Sequence, residues 1–231
     1  VDKPKLHTDF GSHLFPGVVF FDCEATGLNP QVEYIIEIGI VGASGEPVLS
    51  QLARPPKPIP QRVVEITGIS DRDLAGASSE AALIEKVHPI LASSSALGGY
   101  FIHLDYEYLR CAYARAGRET DFAAVAEKPL ICTKTLARRV VPEIGLDFSL
   151  ADLCRHLDIA QRSHHRAIED AIMSWQVALA LASKAGVQTL KDIIEFQGMA
   201  VQAPWELPGS TDDEKAEARK RWKMFVAQSV A

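Results

Sequence analysis

No apolar run in this sequence approaches the ~18 residues that a bilayer-spanning helix requires, which excludes a transmembrane helix. Cysteine is scarce. The four that occur (Cys23, Cys111, Cys132, Cys154) are scattered without close pairing. That argues against a disulfide framework and predicts free thiols in a reducing cytoplasmic setting. A basic excess is missing too: 24 Lys and Arg against 30 Asp and Glu leave a net charge of −6. Coating nucleic acid by bulk electrostatics is therefore not expected. A nucleic-acid enzyme is still allowed, because divalent ions can supply positive charge locally. The opening stretch VDKPKLHTDFGSHLFPG lacks a basic region, an apolar core and a small-residue cleavage site, so no secretory signal is expected. Internal repeats and low-complexity tracts are absent as well.

What is present is an ordinary globular composition, 47% hydrophobic over 231 residues, enough for one domain with a sizeable core. Residues 1–16 read as an N-terminal extension, 17–186 as the domain and 187–231 as a C-terminal helical extension. Val18–Phe21 form an apolar run that reads as strand interior. YIIEIGIVGAS (34–44) is rich in β-branched residues and reads as a well-buried strand. GEPVLSQLAR should pair with it as a hairpin, and PPKPIP (55–60) is an extended loop. A short helix or turn at QRVVEITGIS, a helix over 78–92, a strand over 95–101 and a helix over 104–117 follow. Two short helices at 133–141 and 149–158, the second capped by Ser149, precede a strong helix that ends at Gly186. Strands first, then helices mixed with a further strand, predict an α/β or α+β layered domain.

The first apolar run ends in Asp22 and Glu24. Two residues apart on a strand, these carboxylates share one face, where they repel each other. Asp105 follows the strand over 95–101 where a helix begins, and Asp170 falls in the first turn of the strong helix. Each acid has a plain structural explanation as a turn former or a helix-end charge. Together they can converge at one edge of a sheet. A self-repelling cluster of carboxylates is the electrostatic description of a two-metal site, and oxygen-only ligands favour Mg²⁺ or Mn²⁺. His165 lies five residues before Asp170, which on one regular helix would rotate it about 140° away. In a loop ahead of the helix, its ring could instead swing over the metals and serve as general base. The plain alternative is an exposed loop histidine, and His164 fits that better.

The Asp-x-Glu of FDCEATGL, the Asp of GGYFIHLDYEYL and the His-x-Ala-x-x-Asp of HRAIEDA resemble, in order, the three motifs of the DEDD exonuclease superfamily, histidine branch. The bacterial DNA polymerase III epsilon subunit typifies that branch. The resemblance spans about residues 18–185. It implies a ribonuclease H-like domain, a central mixed β-sheet flanked by α-helices, and 3'→5' exonuclease activity releasing nucleoside 5'-monophosphates. It also implies that Asp22, Glu24, Asp105 and Asp170 bind two Mg²⁺ or Mn²⁺ ions, with His165 as general base. Thr26, Gly27 and Leu28 would hold the 3'-terminal nucleotide, and Ile66 and Thr67 would line the same pocket. The substrate expected is the 3' end of single-stranded or frayed DNA, with RNA as the alternative. Residues 187–231 are where a polymerase or another protein partner would attach. Four positions depart from the family pattern: Tyr100 and Phe101 replace His-Asn, Leu104 replaces Phe, and Glu169 replaces Gly.

Two other readings compete. A non-catalytic binding module could keep the fold and recruit a partner through its C-terminal region. A zinc site built from Cys154, His156, His164 and His165 lacks the common ligand spacing. Arg138, Arg139, Arg162 and Arg166 could contact phosphates, or could be solvated helix-face residues.

Overall fold

Alternation within the first apolar run decides the architecture. In β1 (Val18–Ala25), Val18 and Phe20 enter one hydrophobic cluster and Val19 and Phe21 the other, so the strand is buried on both faces. The computed structural model describes residues 8–145, 147–161 and 165–197. Around β1 lies a six-stranded mixed sheet. It comprises β2 (Ile35–Val41), β3 (Pro47–Arg54), β4 (Ser78–Ser79), β5 (Ala96–Gly99) and β6 (Leu130–Cys132), in the order β4-β3-β2-β1-β5-β6. The β1–β2 and β2–β3 pairs are antiparallel. The β1–β5, β5–β6 and β3–β4 pairs are parallel.

Helices cover both faces. On one side α6 (Thr133–Val140), α7 (Leu150–His156) and α8 (Ala167–Ala185) pack with Val18, Phe20 and Val41. On the other, α3 (Glu80–Ser93), α4 (His103–Arg115) and α5 (Glu119–Ala126) pack with Val19, Phe21, Ile38 and Ile40. A smaller cluster of Ile36, Ile59, Ile69 and Leu74 holds α2 (Gln61–Thr67). Each fully buried Phe, Ile or Leu contributes about 1.5–3 kcal/mol relative to exposure, so the two clusters hold most of the fold's cohesion.

The core extends past the expected domain limits. Leu14 and Phe15, at the end of α1 (Thr8–Leu14), are fully buried, as is Ile193 in α9 (Leu190–Gln197). Gln197 is buried as well: its side-chain oxygen accepts from the Cys132 amide at 2.8 Å, and its nitrogen donates to the Leu130 carbonyl at 2.9 Å. The C-terminal stretch read from sequence as a partner-attachment region lies, from residue 198 on, outside the described residues. No helix among the described residues is long and apolar enough to cross a membrane.

The long elements fall where the sequence pattern places them. Ser149 caps α7 in a full capping box with Asp152, and Gly186 ends α8 in the left-handed conformation that a helix C-terminus favours. Several short elements carry no such signal, and β4 falls at the start of the stretch read as a helix over 78–92. β6 is only three residues long, and α5 is rich in alanine, which blurs its apolar periodicity.

Candidate active site

β1 and β2 run antiparallel with Asp22 opposite Gly39 and Glu24 opposite Glu37. By strand alternation these four residues share the face that carries Phe20 and Val41, and that face lies under α8. Gly39 explains why α8 can start there. A Cβ at this position would lie 2.2 Å from the Ile168 nitrogen and 2.3 Å from its Cα. Only glycine lets the first turn of α8 lie directly on the strand. Asp170, in that first turn, is thereby brought to Glu24.

Asp105 arrives from the opposite layer. β5 pairs with β1 only as far as Phe20 opposite Gly98, so the β1 backbone beyond has no strand neighbour on that side. Asp105, in the first turn of α4, takes the place of one: its Oδ1 accepts from the Cys23 amide at 2.9 Å. The side chain is 7% exposed.

His165 lies in the turn ahead of α8, not on the helix, with φ at +59°. Its backbone N–H donates to Asp170 Oδ2 at 3.1 Å. Glu24, His165 and Asp170 each present a ligand atom, and these atoms lie within 4.8 Å of one another. The geometric obstacle raised by helical spacing is removed because the residue is not helical.

The electrostatics mark a site that wants cations. Burial, and then the charges of Asp105, Asp170, Glu24 and Glu37, hold Asp22 well above the usual carboxylate range. Burial also pushes Glu24 up to about 8, reinforced by Asp170, Glu37 and Asp105 and partly relieved by Arg166. Asp105 is pushed up to about 8, again chiefly by burial, against the lowering effect of the hydrogen bond from Cys23. Hard oxygen donors in this state fit Mg²⁺ or Mn²⁺, whose charge would reverse the repulsion.

The remaining candidates separate into groups. Thr26 is 1% exposed. Its hydroxyl donates to Glu33 and accepts from the Tyr34 amide, and its own N–H donates to the Tyr34 carbonyl. Gly27 and Leu28 are half-buried, and the Gly27 carbonyl accepts from the Tyr108 hydroxyl. A network behind this loop fixes it further: Arg115 donates twice to Glu80 at 2.8 Å and once to the Pro30 carbonyl at 3.0 Å. At the end of α2, Ile66 is 45% exposed. Thr67 is buried, its hydroxyl donating to Val63 and accepting from Ile69.

Phe101, where the family pattern has Asn, has φ at +51°. That conformation suits Asn and is unusual for a bulky residue. Lys134 sits 5.5 Å over its ring, and 5.6 and 5.4 Å over the rings of Tyr100 and Phe148. The zinc alternative does not assemble among the described residues: Cys154 is fully buried and His156 pairs with Glu143 at 3.2 Å. His164 and Arg162 lie outside the described residues. All four cysteines are free thiols.

Sequence reasoning missed Glu37, Tyr108 and Gly39. Glu37 did leave a signal, as the one charge inside the apolar run IIEIGIV.

A mixed sheet bearing acids at the end of its central strand and in the first turns of two flanking helices is the architecture of ribonuclease H-like nucleases. The chain belongs to the RNase T exonuclease family, whose model, described as "Exonuclease", matches residues 19–178. It is 31% identical over 173 residues to the PolC-type DNA polymerase III of Oceanobacillus iheyensis, covering 72% of this chain but 12% of that protein. The chain thus spans about an eighth of the length of such relatives. It is 27% identical over 169 residues to the DNA polymerase III epsilon subunit of Aquifex aeolicus, covering 71% of this chain and 79% of that one. Among solved structures, E. coli Exonuclease I in complex with a dA16 oligonucleotide superimposes with a TM-score of 0.65 at 17% identity, over 78% of this chain and 42% of that one. Exonuclease X in complex with 5' overhanging duplex DNA gives 0.56 at 24% identity, over 78% and 99%. These two similarities speak to the fold.

Proposed function

We propose that this protein is a 3'→5' exonuclease of the histidine branch, acting on the 3' end of single-stranded or frayed DNA. The observation that carries the reading is the meeting of Glu24, His165 and Asp170 ligand atoms within 4.8 Å, beside the raised carboxyls of Asp22 and Asp105. Asp22, Glu24, Asp105 and Asp170 are the residues that would hold two Mg²⁺ or Mn²⁺ ions. Such ions, bound there, would lower the pKa of water and stabilise the charge of the departing 3' oxygen.

This chain's own residues do the rest. The His165 imidazole accepts the proton of the attacking water, from a turn that leaves the ring exposed to solvent. Gly27 and Leu28 hold the terminal nucleotide from a loop fixed by Tyr108 and Arg115. Thr26 contributes by shaping that loop, since its hydroxyl and N–H are both engaged within it. Ile66 offers exposed apolar surface for a base, and Thr67 holds the end of α2. DNA is favoured over RNA by the relatives' association with DNA polymerase III and by the DNA complexes of the similar structures.

The test uses 5'-labelled DNA and RNA single strands of one sequence, with Mg²⁺, Mn²⁺ or EDTA, and the Asp22→Ala and His165→Ala proteins alongside. A metal-dependent ladder on DNA, absent with Asp22→Ala, supports the reading. His165→Ala should lose roughly 10²- to 10⁴-fold in kcat, the usual worth of a general base, while keeping Mn²⁺ binding. No shortening of either strand would return the fold to the binding-module alternative.

A further inference from the structure

Glu37 lies in the middle of β2 with 1% of its surface exposed. A carboxylate in such a place needs partners, and one short segment provides them. Arg166 donates from Nη2 at 2.7 Å and from Nε at 3.1 and 3.2 Å to the two oxygens. The Ala167 N–H donates to Oε2 at 3.0 Å. Ala167 opens α8, and the N-cap residue Arg166 makes no capping bond of its own. An otherwise orphaned helix N–H is therefore satisfied by a side chain from β2.

The groups around this pair are those of the candidate active site. Glu24 faces Glu37 across the β1–β2 ladder. His165 immediately precedes Arg166, and Asp170 follows within the first turn, its carboxylate accepting from the His165 amide. His165 is held at positive φ, a conformation that persists where its surroundings dictate it.

We propose that Glu37 and Arg166 are positioning residues for His165: their ion pair fixes the turn at 165–166 so that the imidazole stays beside Glu24 and Asp170. The inference rests on the exonuclease reading above. It also replaces the phosphate-contact role that sequence suggested for Arg166, because two of its three guanidinium nitrogens are committed to Glu37.

The test compares the full chain with Glu37→Gln, Arg166→Lys and the double variant, on labelled single-stranded DNA with Mn²⁺. Glu37→Gln keeps shape and an acceptor for Ala167 but removes the charge. Arg166→Lys keeps the charge but removes the two-pronged geometry. Each should lower kcat by roughly 10²-fold, the scale of an ångström's misplacement, while KM stays within about twofold. Mn²⁺ affinity by calorimetry should stay close to wild type. The double variant should lose no more than the worse single variant, since both act through one contact. A raised KM with intact kcat and a flattened salt dependence in Arg166→Lys would make the arginine a phosphate contact and overturn the proposal. So would additive losses, or a lowered Tm with kcat unchanged. If Glu37→Gln does not fold, the kcat of Arg166→Lys decides alone. Wild-type protein inactive with every metal would instead remove the exonuclease reading itself, and the two failures are told apart.

Discussion

The amide of Cys23 donates to Oδ1 of Asp105 at 2.9 Å, joining the peptide between the two β1 acids to the first turn of α4. The side chains of Asp22 and Glu24 point into the α8 layer while the backbone between them is held from the α4 layer. One strand end thus sets acids from both layers against each other. The fold keeps that repulsion in place, as expected of a site organised for cations.

Asp22→Asn should separate stability from activity. The substitution removes a part-buried carboxyl that its neighbours repel, so in EDTA the variant should melt above wild type, by roughly 2–4 °C for each kcal/mol relieved. Activity should fall by roughly 10²- to 10³-fold or more, the scale of losing a charge-stabilising group. Differential scanning calorimetry and the strand-shortening assay check both. A lower melting point in EDTA would mean that the Asp22 carboxyl stabilises the metal-free fold.

The raised carboxyls also fix a pH dependence. Glu24 and Asp105, pushed up to about 8, hold protons in the folded chain that the unfolded chain releases in the ordinary carboxylate range. Metal-free stability is therefore greatest at low pH within this window and declines as pH rises toward about 8. Mn²⁺ competes with those protons, so its affinity should climb over the same interval, level off above it, and release protons on binding. Calorimetry in two buffers of different ionisation enthalpy measures both effects. Affinity that stays flat across the interval would contradict the assignment.

Tyr108→Phe removes the hydroxyl that donates to the Gly27 carbonyl and leaves the ring in its buried place. A lost hydrogen bond of about 0.5–1.5 kcal/mol should appear as a KM for oligonucleotide raised roughly two- to tenfold, with kcat little changed. Steady-state kinetics on one labelled strand suffices. An unchanged KM would show that the loop holds its conformation without Tyr108.

Gly39→Ala tests the close approach of α8. The new methyl would meet backbone at 2.2 Å, which no side-chain rotation can relieve. Destabilisation of about 1–3 kcal/mol or more is expected from overpacking, with weakened Mn²⁺ binding as Asp170 is pushed away from Glu24. Urea unfolding and metal titration would show the two effects together, and a neutral result would mean that α8 can shift without cost.

Much of this was legible in the sequence, for physical reasons that differ by residue. Asp22 and Glu24 stood out because two charges ending an apolar strand are costly, and the α8 pattern was long enough to define its own ends. His165 could be placed only conditionally: helical spacing turned it away from Asp170, and the positive φ that resolves this leaves no mark in a single sequence. Glu37 was visible as a charge within IIEIGIV, but its partner lies 129 residues away in the chain, a distance no local pattern spans. Thr26 and Thr67 illustrate the opposite limit. Both were named from the family resemblance alone, and their hydroxyls bond to groups close by in the chain, Thr26 to Glu33 and Tyr34 and Thr67 to Val63 and Ile69.

The Gln197 side chain has a consequence away from catalysis. Among the described residues β6 is the last strand on its side of the sheet, and a strand in that place invites pairing with any passing extended chain. By accepting from Cys132 and donating to Leu130, one glutamine amide occupies two of the backbone groups that an added strand would need. A foreign segment that lengthened the sheet there would have to displace the Gln197 amide, so α9 makes this flank a poorer template for aggregation.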